Sequence, residues 1–347
     1  MFENPCPRSK ENVYFCHDVL PCCTHLNGIE KRQTYLKETH SMPTIPPPDE
    51  NEYFIEAENA TETARLMKQD YLTTQGMGGV FPERSDFSTI HDILDIACGP
   101  GGWVLDVAFE HPEINVIGID ISRTMVEYAQ ARAWTQGLNN ASFRVMDALK
   151  PLDFPDASLD LVNARFLFAV IPPPMWPMFM DECLRITRPG GIIRLTESEW
   201  YLTNSLAYET LHAMTTQALK RAGKSFSPDG RNVGITPMLG QFLQQAHCER
   251  IQHAAYALDL SAGTEAHGNL YQNLMAFFSL IEPFLLQTQV TTPEEFDALY
   301  NQMLAEVLSD SFRAVSFILT VWGETPSRTM EKTSGQLSRT SEDDLPM

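Results

Sequence analysis

Two short apolar segments flank a glycine-rich turn, and this arrangement limits what the chain can fold into. Residues 93–96 are apolar apart from Asp95 and run directly into the turn at 97–102, which contains three glycines. Glycines in such a turn let the backbone approach a ligand closely and point its N–H groups at it. The second apolar segment, 116–119, ends in Asp120, 19 residues beyond Gly101. An acid there can accept hydrogen bonds from ribose hydroxyls, so the two segments predict a cleft for a nucleotide-type cofactor.

The spacing of the glycines distinguishes between two kinds of cofactor. A dinucleotide fingerprint, G-x-G-x-x-G, needs a third glycine so that helix and strand pack closely beneath a pyrophosphate. Counting from Gly99, that third position holds Val104. Residues 95–101, Asp-Ile-Ala-Cys-Gly-Pro-Gly, instead resemble the first motif of the class I S-adenosylmethionine-dependent methyltransferases. The segment departs from that family at Ala97, where glycine is more common.

Later segments resemble further motifs of the same family, and they occur in the family's order. Asp120 matches the acid that binds the ribose. Residues 143–148 resemble the third motif, in which Asp147 would meet the adenine amino group and the backbone N–H of Ala148 would meet the ring. Residues 158–163 resemble the fourth strand, and residues 184–191 resemble the turn into the fifth. The resemblance covers residues 90–200 and extends less closely to Gly323.

Strands and helices alternate along the chain, which predicts an α/β fold with a doubly wound, Rossmann-like sheet. From the family we expect seven strands, mostly parallel with an antiparallel last strand, and helical insertions after strands 5 and 6. Apolar runs predict strands near 92–97, 114–119, 141–145, 158–163, 191–197, 249–260 and 312–321. Helical patterns lie near 59–75, 102–110, 122–137, 175–187, 206–222, 236–246, 265–287 and 293–309.

Composition divides the chain into four segments. Residues 1–50, rich in cysteine and proline, are predicted to be a disordered or loosely ordered extension. Residues 51–90 are predicted to form an N-terminal helical lid. The methyltransferase domain is expected over 91–323, with substrate insertions at about 201–247 and 262–310. Residues 324–347 are polar and are predicted to be a disordered tail.

The resemblance implies S-adenosylmethionine as the cofactor. Its predicted binding residues lie at the carboxyl ends of four strands, where the ligand crevice of an open α/β sheet is found. They are Asp95, Ala97, Cys98, Gly99, Gly101, Asp120, Ile121, Met125, Asp147, Ala148 and Asn163.

Candidate substrate residues are aromatic or basic side chains close to the same edge. They are Arg165, Phe166, Trp200 and Phe277. The resemblance adds Tyr53 and Tyr71, because in related small-molecule enzymes the N-terminal helix folds over the donor as a lid. Aromatic residues at helical spacing are also typical of a plain core, so both interpretations of the 275–278 group stay open. Glu197, at the end of the fifth strand, is the predicted catalytic residue, since it would face the acceptor. The alternatives are a solvated rim acid or an ion pair with Arg165.

Charge and cysteine usage narrow the choice of partners and compartment. The formal net charge is −20, and a surface that acidic repels nucleic acid. The longest apolar stretch, 166–180, is interrupted by prolines and is too short for a membrane span. The seven cysteines are expected to be reduced, and their spacing near the N-terminus lacks two clean metal-binding pairs, so no metal is predicted. We expect a cytoplasmic protein, with homo-oligomer formation left open.

Taken together, the motifs predict methyl transfer from S-adenosylmethionine to an apolar or aromatic small molecule, such as a secondary metabolite. One alternative is a core-metabolism enzyme of the quinone or sterol type. Another is a protein that binds the donor without turnover and serves as a scaffold. An N-P-P-Y motif, carried by some amino-methylating relatives, is missing after Asn163, which disfavours DNA adenine and protein glutamine as acceptors.

Overall fold

The computed structural model describes residue 55 and residues 59–327. The strands are β1 (Asp92–Ile96), β2 (Asn115–Asp120), β3 (Ala141–Val145), β4 (Leu159–Arg165), β5 (Thr187–Ser198), β6 (Leu202–Thr203), β7 (Glu249–Asp259) and β8 (Ala314–Glu324). The helices are α1 (Ala60–Met77), α2 (Gly102–Glu110), α3 (Arg123–Gln136), α4 (Trp176–Ile186), α5 (Leu206–Arg221), α6 (Leu239–Gln245), α7 (His267–Gln287) and α8 (Pro293–Val307). The predicted α/β class is confirmed.

All described strands belong to one sheet. Its order is β3-β2-β1-β4-β5-β8, and both β6 and β7 also pair with β8. The pairs among β1 to β5 are parallel, whereas β8 runs antiparallel to each of its neighbours. The chain order reverses at β1 and β4, and such a switch point places a ligand crevice beyond the carboxyl ends of the strands.

Alternating side chains of β1 face two different cores, as expected for a sheet covered on both faces. Ile93 packs with the apolar residues of α2 and α3, whereas Leu94 and Ile96 pack with those of α4 and α6. A third core joins α5, α7 and α8, with Tyr208, Phe278 and other large side chains buried inside it. The insertions therefore bring their own hydrophobic core to the edge of the sheet.

The sheet has eight strands rather than seven, because β6 pairs with β8 over two residues. The boundaries that differ most from the prediction are the start of β5 and the end of β8. β5 begins at Thr187, since the Pro-Gly-Gly segment predicted as a turn continues the strand across a register shift against β4. The predicted tail from 324 is corrected as well. Thr325 is 2% exposed and pairs with Gly191 through backbone hydrogen bonds of 2.8 and 3.1 Å.

α1 begins where the sequence predicts, with the side chain of Asn59 accepting a hydrogen bond of 2.8 Å from the N–H of Thr61. It ends at Gly78, whose positive φ of 92° closes the helix in the left-handed conformation. The predicted extension 1–50 lies outside the described residues. Across residues 59–327, every helix is too short or too polar to cross a membrane.

Candidate active site

Two cavities lie at the carboxyl edge of the sheet. The first, which we call the donor cavity, is bounded by the ends of β1 to β4 and encloses about 1140 Å³ out to its mouth. The second, the acceptor cavity, lies between α1, α7 and the ends of β5, β7 and β8 and encloses about 1000 Å³. Leu66, Gln69 and Phe166 line both cavities. The two cavities are therefore neighbours separated by a thin wall.

The turn after β1 forms the floor of the donor cavity. Gly101 has a φ of 76°, and a Cβ atom there would lie only 2.6 Å from the Phe143 ring and 2.7 Å from Ala129. Glycine is therefore required for the turn to pack on α3 and β3. Ala97 also adopts a positive φ, 54°, which a residue with a Cβ rarely does. The family's usual glycine at this position thus has a conformational reason.

Acids at the ends of β2 and β3 face the same cavity. Asp120 is 8% exposed, and its two oxygens accept hydrogen bonds from the N–H groups of Gly99, at 2.8 Å, and Ser122, at 2.9 Å. Asp147 accepts from the N–H of Leu149 at 2.9 Å and lies 3.1 Å from the ammonium of Lys150. Both acids are thus held in place by backbone N–H groups at the edge of the donor cavity.

Asp95 is held from behind by a line of buried polar groups. Its Oδ1 accepts a hydrogen bond of 2.7 Å from Asn163, whose own oxygen accepts one of 2.7 Å from Arg194. Arg194 is 2% exposed and pairs with Glu83 from the loop after α1. Burial raises the pKa of Asp95 to about 7, although the charge of Arg165 and the hydrogen bond from Asn163 act in the opposite direction.

The helix α1 contributes a charged group to the donor cavity. Asp70 forms an ion pair with Arg165 at the end of β4, and the guanidinium of Arg165 lies 5.6 Å from the Trp103 ring. The thiol of Cys98 lines the same cavity, and burial together with the nearby Asp120 raises its pKa. Cys98 is therefore a neutral wall residue at physiological pH.

Most of the predicted cofactor residues line the donor cavity together. They are Asp95, Ala97, Cys98, Gly99, Asp120, Ile121, Met125, Asp147 and Ala148. Gly101 and Asn163 are not among the residues that line it, so their contact with the cofactor stays a prediction. Gly101 lies beneath the turn against Phe143, and Asn163 is fully buried behind Asp95. In these positions both residues support the cavity.

The acceptor cavity has mainly apolar walls. Trp200 and Phe277 stand with ring centroids 5.2 Å apart, and Phe168 meets Trp200 edge-on at 6.3 Å. The aliphatic lining comes from Leu66, Leu72, Val233, Leu258, Leu260, Leu274 and Ile318. Such a surface favours an apolar or aromatic occupant, since burying polar groups against it without partners would be unfavourable.

The charged groups of the acceptor cavity are already engaged. Arg65 makes two hydrogen bonds of 2.7 Å to Glu62 and one of 2.6 Å to Gln69. Among the described residues lining this cavity, Glu199 is the only acid. One of its oxygens accepts from Val233 and Gly234, both at 3.0 Å, and the other accepts from Thr236. Glu199 therefore holds residues 233–236 of the loop after α5 in place through hydrogen bonds.

The predicted substrate residues fall into three groups. Phe166, Trp200 and Phe277 line the acceptor cavity, while Arg165 lines the donor cavity. Phe277 is 7% exposed and also packs in the insertion core, so both interpretations of it hold. Tyr71 is 56% exposed and lines neither cavity, because it lies on the outer side of α1. Tyr53 lies outside the described residues.

Glu197 is placed differently from the prediction. It is 1% exposed and lines neither cavity, and its Oε1 accepts hydrogen bonds from the N–H groups of Leu167, at 2.6 Å, and Phe168, at 3.2 Å. Its ion pair with Arg165 is also not formed, since Arg165 pairs with Asp70. The prediction that Glu197 faces the acceptor is corrected, as is the alternative of a solvated rim acid.

Sequence reasoning missed the cavity-facing side of α1, formed by Leu66, Gln69, Asp70 and Thr73. These residues recur at the helical spacing of three and four, which is the signal that could have identified them. The signal was weak because three of these four residues are polar. The walls from β7 and β8 were missed as well, since they come from distant parts of the chain.

Comparison with known proteins agrees with this geometry. Residues 93–191 match the family model of a methyltransferase domain. A probable methyltransferase of Aspergillus luteorubrus is 33% identical over 107 residues, covering 29% of this chain and 38% of that protein. The demethylmenaquinone methyltransferase of Geobacillus kaustophilus is 33% identical over 100 residues, covering 28% of this chain and 42% of that protein. The matched region thus spans about two fifths of these relatives.

Among solved structures, the phosphoethanolamine N-methyltransferase 2 of Haemonchus contortus in complex with S-adenosylmethionine aligns with a TM-score of 0.46. The two chains are 15% identical, and the alignment covers 76% of this chain and 57% of the other.

The strand order, the glycine turn and the strand-end acids, together with the matched family model, mark residues 93–191 as a methyltransferase domain of the class I, S-adenosylmethionine-dependent type. The chain carries the methyltransferase domain of this class over residues 93–191, and its cofactor is S-adenosylmethionine. The donor cavity fits this cofactor, because acids stand at the ends of β1, β2 and β3, where ribose hydroxyls and a positively charged amino-acid end need acceptors.

Proposed function

We propose that this protein transfers a methyl group from S-adenosylmethionine to an apolar or aromatic small molecule bound in the acceptor cavity. The observation that carries the proposal is the shared wall between the two cavities, formed by Leu66, Gln69 and Phe166. A donor in one cavity and an acceptor in the other would come into contact where the two cavities adjoin at these residues, so that the bond from the acceptor atom to the methyl carbon forms as the bond from sulfur to that carbon breaks. When bound, S-adenosylmethionine supplies a methyl group already activated by the positive sulfonium.

On the donor side, we assign Asp120 to the ribose hydroxyls and Asp147 with the N–H of Ala148 to the adenine. The position of both acids at neighbouring strand ends supports this assignment. Asp95 is assigned to the amino-acid end of the donor, where Asn163 and Arg194 fix the direction of its carboxyl.

On the acceptor side, the protein mainly excludes water and orients the substrate. Arg65 is neutralised by Glu62, and Glu199 is occupied by the N–H groups of the loop at 233–236. An acceptor with a net charge would find no free counter-charge in the described lining, so a neutral molecule fits best. Holding two reactants in the correct geometry supplies much of the rate acceleration of such a displacement.

Two alternatives differ from this proposal in the acceptor or in the turnover. A quinol or sterol acceptor would also suit apolar walls, and one relative is named for demethylmenaquinone methylation. A scaffold that binds the donor without turnover would need the donor cavity only. The well-formed acceptor cavity, with Trp200 and Phe277 facing each other, favours an enzyme.

The proposal is tested by incubating the full-length protein with methyl-labelled S-adenosylmethionine and a metabolite extract, followed by mass spectrometry of the products. We expect the label to appear in a neutral, apolar compound. The Asp120→Ala variant serves as the control and should transfer much less label. Donor binding by calorimetry without transfer to any compound would favour the scaffold, and transfer to nucleic acid or protein would contradict the proposed acceptor class.

A further inference from the structure

The turn that follows β4 forms part of the wall between the two cavities. Phe166 lines both of them and has a φ of 58° and a ψ of 42°, a left-handed conformation that is unusual for an aromatic residue. Residues Leu167–Ala169 then make one turn of 3₁₀ helix. Phe168 and Ala169 face the acceptor cavity, and Val170 faces the donor cavity. The position of this turn thus sets the shape of both binding sites.

Glu197 binds this turn from behind. Its Oε1 accepts the N–H groups of Leu167 and Phe168, the first two residues after Phe166 in the left-handed conformation. N–H groups at the start of a helical turn have no partner within the turn, so an acceptor side chain beside them is stabilising. The side chain is 1% exposed, and its Oε2 has no hydrogen-bond partner in the described part of the chain.

The strand geometry explains why this acid lies behind the wall rather than inside a cavity. Side chains alternate along β5, so Glu197 shares the face of Ile193 and Leu195, which pack in the core with α4. Ser198 and Trp200, beyond it, line the acceptor cavity. Burial raises the pKa of Glu197, against the effect of the two backbone hydrogen bonds. The group is therefore well suited to serve as a fixed hydrogen-bond acceptor and poorly suited to exchange protons with a substrate.

We propose that Glu197 is a positioning residue, which fixes the turn Phe166–Phe168 through its Oε1 and thereby holds Phe166 at the border of the two cavities, where it orients the acceptor toward the donor. This inference rests on the proposed function, because it assigns the role of that wall in the methyl transfer. Without the acceptor oxygen, two buried N–H groups would lose their partner, and Phe166 would be free to leave its left-handed conformation.

Two variants of nearly equal size separate this role from a catalytic one. Glu197→Gln keeps an oxygen at the position of Oε1 but removes any carboxylate, and Glu197→Met keeps the volume but removes the acceptor. Leu195→Met, on the same face of β5, controls for a change of packing without loss of a hydrogen bond. Three quantities are measured for each: amide hydrogen exchange in peptides covering 166–170, affinity for S-adenosylhomocysteine by calorimetry, and initial rates of methyl transfer from labelled S-adenosylmethionine to the extract compound that gives the largest product peak.

We expect Glu197→Met to accelerate exchange in 166–170 about tenfold or more, and to lower kcat about 10- to 100-fold. Affinity for S-adenosylhomocysteine should change by less than about threefold, because the strand-end acids that bind it are separate from the turn. Glu197→Gln and Leu195→Met should retain the wild-type exchange and kcat.

Three results would overturn the inference. They are a Glu197→Gln variant as impaired as Glu197→Met, a Glu197→Met variant with wild-type kcat, and unchanged exchange in 166–170. Should Glu197→Met fail to fold, Glu197→Gln decides alone, since wild-type kcat and exchange support the acceptor role and a large loss of kcat contradicts it. The exchange measurement needs no turnover, so it separates a failure of this inference from a failure of the proposed function.

Discussion

The donor cavity and the acceptor cavity are neighbours, but the chain builds them in different ways. The donor cavity takes most of its lining from residues 95–170, at the ends of four parallel strands that follow one another in the sequence. The acceptor cavity takes its lining from residues as distant as Arg65 and Ile318. The geometry of the donor cavity is set by short segments at the ends of neighbouring strands. The geometry of the acceptor cavity depends on how the insertions pack on the sheet. Change in the insertions can therefore alter the acceptor while leaving donor binding intact.

If the donor cavity is the more rigid of the two cavities, removing one of the buried polar groups behind Asp95 should lower the free energy of unfolding strongly. Arg194→Met removes one side of the buried pair with Glu83 and should lower the free energy of unfolding by about 3–5 kcal/mol. Urea denaturation measures this change. Arg188→Met is the control, because Arg188 is half-exposed and its ion pairs should contribute about 1 kcal/mol or less. Equal losses of unfolding free energy in the two variants would show that the buried pair of Arg194 and Glu83 stabilises the protein no more than the half-exposed pairs of Arg188 do.

The pH dependence of the free energy of unfolding tests a second member of this group of buried polar residues, Asp95. Its pKa is raised from 3.8 to about 7, so between these values the folded protein holds a proton that the unfolded chain has released. Stability from this group is fully present below pH 4 and is lost as the pH rises, by at most about 1.4 kcal/mol per pH unit. Asp95→Asn imitates the protonated form and should escape that loss. Parallel urea-unfolding curves for both proteins from pH 4.5 to 6.5 would contradict the raised pKa.

Donor binding should respond to the strand-end acids and acceptor binding should not. Asp120→Ala should weaken binding of S-adenosylmethionine by about 1.5–3 kcal/mol, the usual loss for a charge-assisted hydrogen bond. Calorimetry gives the affinity, and Asp153→Ala, which removes an exposed acid outside both cavities, should leave it unchanged. Unchanged affinity in the Asp120 variant would remove this residue from the site.

On the acceptor side, two adjacent phenylalanines offer a matched pair. Phe277 lines the cavity, whereas Phe278 is fully buried and lies outside the lining. Phe277→Ala should raise the KM of the acceptor about tenfold, or ~1.4 kcal/mol, with little change for the donor. Phe278→Ala should mainly lower stability, because it leaves a cavity in the insertion core. If both variants lose only stability, Phe277 is a core residue and the substrate lies elsewhere.

The smallest expected effect concerns the turn itself. Ala97 pays for a left-handed conformation that glycine adopts freely, so Ala97→Gly should raise the free energy of unfolding by about 0.5–1 kcal/mol. Ala129→Gly, inside α3, should do the opposite by a similar amount. Urea denaturation of the two variants compares them directly. A destabilised Ala97 variant would mean that the methyl group contributes packing that outweighs the strain.

The same contrast explains how much could be predicted from the sequence. The parallel strands and the cluster around Asp120 follow from local patterns, since an apolar run followed by a turn or an acid specifies a strand end. The antiparallel last strand was expected from the family resemblance alone. The direction in which the Glu197 side chain points depends on the alternation of side chains along β5. It also depends on where the turn after β4, whose N–H groups it binds, lies against that strand. Tyr71 was a candidate only through the resemblance to enzymes with an N-terminal lid, and it lies 56% exposed on the outer side of α1.

The acceptor cavity could be predicted only as a region. Helices at 206–222 and 265–309 were expected beside the cleft; of the three helices that form there, α7 contributes Asn273, Leu274 and Phe277 to the cavity lining. Which of their residues face the cavity depends on contacts between segments up to about 200 residues apart, such as that between Arg65 and Asn273. No local pattern carries that information, because each helix could rotate about its axis and still bury an apolar stripe.

The place of β8 in the sheet has a consequence for synthesis on the ribosome. Thr320 pairs with Thr196 on one side and with Ala254 on the other, so the last strand in chain order is an inner strand. The strands of the donor cavity are complete at Arg165, but β8, with Ser316 and Ile318 of the acceptor wall, emerges about 150 residues later. β5 is complete at Ser198, β7 at Asp259 and β8 only at Glu324. At translation speeds of about 5–20 residues per second, the edge of β5 is therefore exposed for roughly 6–25 s and that of β7 for roughly 3–13 s. During these intervals the unpaired edges can pair with another nascent chain. Misassembly of this kind is prevented only when β8 pairs with both edges.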